Sequence, residues 1–147
     1  MARYRPLSGP PKLPRELYAW GITQMAPAIL LDGCWLENLA GAEPAQDSIQ
    51  RRLLQIFADE VGYGHIERNH PNVYRLLLQS LDISLPPKSS REFAQHPQLC
   101  DAAFVLPTYL FAIGLWPERF CPEILGLNLA IELSGLGAGY MQLIDAL

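Results

Sequence analysis

The stretch Asp59-Glu60-Val61-Gly62-Tyr63-Gly64-His65-Ile66-Glu67-Arg68-Asn69-His70-Pro71 decides how this chain reads. It crowds two carboxylates, Asp59 and Glu60, and two imidazoles, His65 and His70, around a glycine-softened break between two apolar-periodic segments. Upstream, Ile49, Leu53, Ile56, Phe57 and Val61 fall at helical spacing, and downstream Val73, Leu76, Leu77 and Leu81 do the same. Ligand-type groups beside core-facing helices need a reason. One is a cation, because carboxylate oxygen and imidazole nitrogen are the donor set of non-haem iron or manganese, whereas thiolates point to zinc or clusters. The stretch therefore reads as a metal half-site. The second helix has two openings: near His65 or Ile66, which leaves Pro71 in its first turns and lets His70 point back toward Glu60, or after Asn69, which becomes the cap. His65 is expected to face solvent.

The 147 residues, at 50% hydrophobic and 18% charged, suffice for one domain with a core of its own. A formal net charge of -4 without a run of Lys or Arg argues against nucleic acid and against an anionic membrane surface. Cys34, Cys100 and Cys121 are an odd count without CxxC spacing, as expected of reduced thiols in a cytosol. Residues 1–14 carry Pro6, Pro10, Pro11 and Pro14 among Arg3, Arg5 and Lys12, which predicts an extended arm and no secretory signal. The location expected is cytoplasmic, and residues 15–147 form the domain.

From Arg15 to Gly41 the apolar spacing predicts helix, with Pro27 as a start or kink and Gly33 as a soft point. Asp32 and Glu37 are its acids, and a single helical carboxylate is ordinarily a solvated or capping group. Asp47-Ser48 opens the helix that runs to about Val61. Pro86-Pro87-Lys88-Ser89-Ser90 is a loop, and Ser90 is placed to cap a short helix through Ala94 that His96-Pro97 ends. Residues 102–116 contain no charge and predict a buried helix kinked at Pro107.

The last segment begins at Pro122-Glu123, a good helix start, and between Ile124 and Ile144 its only charge is Glu132. A central carboxylate costs about 2.5–3.5 kcal/mol to insert in a bilayer, so a buried helix is favoured over a membrane span. Glu132 must then be neutral, hydrogen-bonded or metal-bound, with Asn128 one turn earlier as its nearest polar partner. Gly135, Gly137 and Gly139 follow a helix and not a strand, so they fit close packing better than a phosphate loop. No strand alternation is visible. The fold class expected is all-α, a helical bundle.

At Asp59-Glu60-Val61-Gly62-Tyr63-Gly64 with Asn69-His70, and again at Pro122-Glu123-Ile124-Leu125-Gly126-Leu127-Asn128-Leu129-Ala130-Ile131-Glu132-Leu133-Ser134-Gly135, the chain resembles the iron-containing redox enzymes, the haem-oxygenase-like diiron oxidases and oxygenases. The resemblance extends to Asp32-Gly33-Cys34-Trp35-Leu36 and spans most of residues 17–147. It implies a haem-oxygenase-like bundle and metal ligands at Glu60, His70 and Glu132, with an early carboxylate ligand at either Asp32 or Glu37. It also implies Asn128 or Asn69 as partners that orient those ligands. The cofactor implied is non-haem iron, dinuclear in the full site, and the partners are O2 and a small organic substrate. The family adds a His-x3-Asp-x2-His type cluster on a later helix, and the sequence stops at Leu147 before one. The expectation is thus a bundle incomplete at its C-terminus, with half a ligand set and an apolar face that favours a homodimer.

Two other readings stand beside the iron oxidoreductase. One is a helical scaffold or dimerisation module that holds no metal. The other is a haem binder with His70 or His65 as the axial ligand.

Overall fold

The computed structural model of the protein describes residue 9, residues 13–40 and residues 48–134, and gives the backbone alone for residues 40 and 132–134. Most of the expected N-terminal arm, the side chain of Glu132 and the glycine cluster after it lie outside the described residues. Among the described residues there are six α-helices and no strand: α1 (Arg15–Ile29), α2 (Ser48–Glu60), α3 (His70–Ser80), α4 (Arg91–Ala94), α5 (Val105–Gly114) and α6 (Cys121–Ser134). None is long and apolar enough to cross a membrane.

The first helix is shorter than its apolar pattern predicts. Pro27 lies inside α1 and is buried; its missing N–H weakens the last turn, and the chain leaves the helix after Ile29. Tight turns then carry it through Gly33, at φ +84°, to a 3-10 turn at Glu37–Ala40. Helix α3 starts at the later of its two candidate positions. Asn69 is the cap, its side chain accepting from the Asn72 N–H at 3.1 Å, and Pro71 sits in the first turn where no amide is needed. Ser90 caps α4 in the same way, accepting from the Phe93 N–H at 3.1 Å.

Two hydrophobic clusters hold these pieces. One joins Ile22, Ala26 and Leu30 of the first helix and its end to Tyr74 and Leu78 of α3, with Phe93 and Leu99. The other joins Trp35, Leu36 and Leu39 to Leu53 of α2, Leu110 and Ile113 of α5 and Ile124 of α6. Residues 31–34 link the clusters, so the turn after α1 is anchored at both ends.

Three further expectations fail here. The inward face of α3 is Pro71, Tyr74 and Leu78, whereas Val73 and Leu76 of the apolar repeat are exposed. The tyrosine takes the core position because its hydroxyl donates to the Ile22 carbonyl, which settles its polar end. The segment 102–116 is a 3-10 turn, Asp101–Phe104, followed by α5, and it is not buried all round: Val105, Tyr109 and Trp116 stand in solvent. Nor is α6 wholly buried, since Leu129 is 60% exposed.

Where α5 does pack, it packs closely. A Cβ on Gly114 would meet the Cys34 carbonyl oxygen and Trp35 Cα at 2.8 Å each, and Asn38 Nδ2 donates to the Gly114 carbonyl at 2.8 Å. Glycine there lets α5 press the 31–36 turn into place.

Candidate metal centre

Three helix ends converge on one point. Asp32 follows α1, Glu60 is the last residue of α2, and His70 is the first of α3. Their ligand atoms, one per residue, all lie within 4.8 Å of one another. His70 Nδ1 stands 3.4 Å from Asp32 Oδ2 and directly against Glu60 Oε2.

Two glycines make the convergence possible. Gly62, at φ +75°, turns the chain back after α2; a Cβ there would fall 2.6 Å from the Asn69 nitrogen and 2.7 Å from the Arg68 carbonyl carbon. A side chain at 62 would push apart the strands of backbone that carry Glu60 and His70. Gly33 does the same from the other side, with its would-be Cβ 3.1 Å from Glu60 Cβ and 3.5 Å from the Phe57 ring. The turn bearing Asp32 can therefore lie on the end of α2.

Helix capping does not explain these charges. A carboxylate at a helix C-terminus and an imidazolium at an N-terminus both oppose the helix dipole, so Glu60 and His70 sit at the electrostatically wrong ends. The two carboxylates also repel each other. Burial, first, and the Asp32 charge push the Glu60 carboxyl above its usual range, while His70 pulls it back. The Asp32 and Glu60 carboxylates hold the His70 proton on, raising its pKa to about 10 against the opposing effect of burial. Oε2 of Glu60 is buried, and the His70 ring is the cationic group that stands against it.

A bound cation resolves each of these tensions. It neutralises two carboxylates that otherwise repel each other and takes the place of the His70 proton between them. Ligand atoms held about 2.0–2.2 Å from one ion stand roughly 3–4.4 Å apart; His70 and Asp32, at 3.4 Å, already fit this, and His70 and Glu60, in direct contact, would part slightly to admit an ion. Two hard oxygens and one imidazole suit iron or manganese, so the residues fit the group. Cys34, two residues from Asp32, stands outside the cluster, and burial, with the charges of Asp32 and Glu37, pushes its thiol up to about 11.

Of the residues singled out from sequence, Glu60 and His70 meet, and Asp32 joins them. Glu37 is exposed at the start of its 3-10 turn and stands outside the cluster. The side chain of Glu132 lies outside the described residues. His65 is exposed and pairs with Glu67 at 3.4 Å. Asn128 accepts from Trp35 Nε1 at 3.4 Å and donates to the Ile124 carbonyl at 2.7 Å, and its relation to the Glu132 side chain lies outside the described residues. Asn69 acts on backbone, fixing the start of α3 and with it the position of His70.

An all-α bundle with a carboxylate–imidazole cluster at converging helix ends is the class that fold and site define. Residues 20–145 match the family model described as iron-containing redox enzyme, and the chain belongs to that family. Its bundle is accordingly the haem-oxygenase-like fold. Neither the curated proteins nor the solved structures gave a match.

Proposed function

We propose that the protein is a non-haem iron oxidoreductase that uses O2 to oxidise a small organic substrate, with Asp32, Glu60 and His70 as ligands and Glu132 of α6 as a further one. The observation that carries this reading is the convergence of one ligand atom each from Asp32, Glu60 and His70 within 4.8 Å of one another at three helix ends. Carboxylates can bridge two ions, which favours a dinuclear site. Iron held there would supply open positions for O2 and the electrons for its reduction.

The chain's own residues prepare that chemistry. His70 would give up its Nδ1 proton to become a neutral donor toward the ion, the half-exposed ring leaving water at hand to carry that proton away. Asp32 and Glu60 hold two negative charges against a cation that water would otherwise compete for. Gly33 and Gly62 keep the three groups together before the ion arrives, so little ordering remains on binding.

A metal-free scaffold is the second reading, favoured by one observation: His70 already pairs with both carboxylates. Iron content and visible absorbance of the purified protein separate the readings. Stoichiometric iron without a Soret band supports the proposal, absence of metal after anaerobic Fe(II) loading leaves the scaffold, and a Soret band indicates haem.

A further inference from the structure

We propose that the outer face of α5 is the surface through which two copies of this chain pair, antiparallel and in one register. The inference is independent of the iron site. A helix that is apolar on its inner face only is content in water; α5 is apolar on both. Pro107, Leu110, Ile113 and Gly114 face the core. On the opposite side Val105, Tyr109 and Ala112 recur at i, i+4 and i+7, Trp116 follows at i+11 just past the helix end, and all are exposed, flanked by Leu106 and the capping residue Leu115.

The size and chemistry of this face select its occupant. Its large side chains are between 43% and 70% exposed. Together with Phe111 they form an apolar face that would supply part of the roughly 800 Å² each partner buries in a stable interface. Residues 102–116 hold no charge, so one copy can lie on another without like-charge repulsion, although each chain carries a formal -4. A lipid surface is a poorer match, because interfacial helices carry Lys and Arg on their polar side and α5 has neither.

The stripe is also complementary to itself. Turned about a two-fold axis between positions 110 and 111, it sets Tyr109 of one copy over Ala112 of the other, and Val105 over Trp116. Each layer then pairs a large side chain with a smaller one, the condition for close packing across a seam. The same rotation brings the Asp101 end of one copy toward the Glu118-Arg119 end of the other, so the charged residues gather at the two rims and the seam between them is uncharged. A self-matched patch closes as a dimer and does not propagate.

The test is a size swap read by light scattering or sedimentation on the full chain. Wild-type protein at high micromolar concentration should have twice the mass of one chain. Ala112→Tyr sets two large rings against each other and should give single chains with an unchanged helical circular dichroism spectrum; Ala112→Glu, which puts a charge in the seam, should do likewise. Adding Tyr109→Ala to Ala112→Tyr restores the large-on-small match and should restore the dimer. A monomeric wild type, dimers that survive both single substitutions, a double variant that stays monomeric, or wild-type protein floating with phosphatidylcholine/phosphatidylglycerol vesicles in place of pairing would each overturn the proposal.

Discussion

Asp32 and His70, 38 residues apart in sequence, face each other across 3.4 Å. Nothing in the local structure of either segment requires this. It follows from the way the turn after α1 is pinned between two hydrophobic clusters while Gly62 folds the start of α3 back over the end of α2. Two acids and an imidazole meet there because three helix ends do.

Gly62→Ala should be strongly destabilising, by about 2 kcal/mol or more, because a positive φ and a backbone clash act together. Gly64→Ala shares the positive φ, at +81°, but a Cβ there meets nothing within 4 Å, so it should cost only about 1 kcal/mol. Urea unfolding of the two variants checks the difference, and equal losses would mean that the close approach at Gly62 is not what holds the turn.

Metal uptake should release protons and tighten with pH. His70 is charged at neutral pH in the free protein, since its pKa is raised to about 10, and only the neutral ring binds an ion. Affinity for Fe(II) or Mn(II) should therefore rise between pH 6 and pH 8, and calorimetry in buffers of different ionisation enthalpy should show about one proton released per ion bound. The metal-free protein should behave oppositely. His70 has a higher pKa folded than unfolded, so its contribution to stability is complete below about pH 6.5 and is lost as pH climbs toward 10. Stability that rises over that interval would contradict the pairing with Asp32 and Glu60.

Tyr74→Phe should cost about 1 kcal/mol through the lost hydrogen bond to the Ile22 carbonyl, without changing metal uptake. Thermal unfolding and metal titration of the same variant read the two effects separately. A large loss of metal binding would show that the α1–α3 core and the site are coupled through this residue.

Much of this was legible in the chain. The Glu60-to-His70 spacing, the glycines between them and the helices on either side could be read directly, because local charge and turn chemistry sit within one short stretch. Asp32 could not be told from Glu37, since the choice depends on which one reaches α2. The signal that separates them is Gly33: a glycine at positive φ beside an acid marks a turn meant for close approach. The inward face of α3 was misread because Val73 and Leu76 look more apolar than Tyr74, whose hydroxyl finds a partner only across 52 residues of chain. Residues 102–116 read as buried because hydropathy reports how apolar a helix is, not how much of it the rest of the fold covers.

The central claim is that Asp32, Glu60 and His70 together hold iron, and anaerobic Fe(II) titration of wild type beside Glu60→Gln and His70→Ala tests it most directly. Glu60→Gln keeps the shape and removes the charge, so folding should persist while binding weakens by tenfold or more, in line with about 1.4 kcal/mol per factor of ten; His70→Ala should abolish stoichiometric uptake with its helical spectrum intact. Binding of the same strength and stoichiometry in all three proteins would place the iron elsewhere and contradict the account.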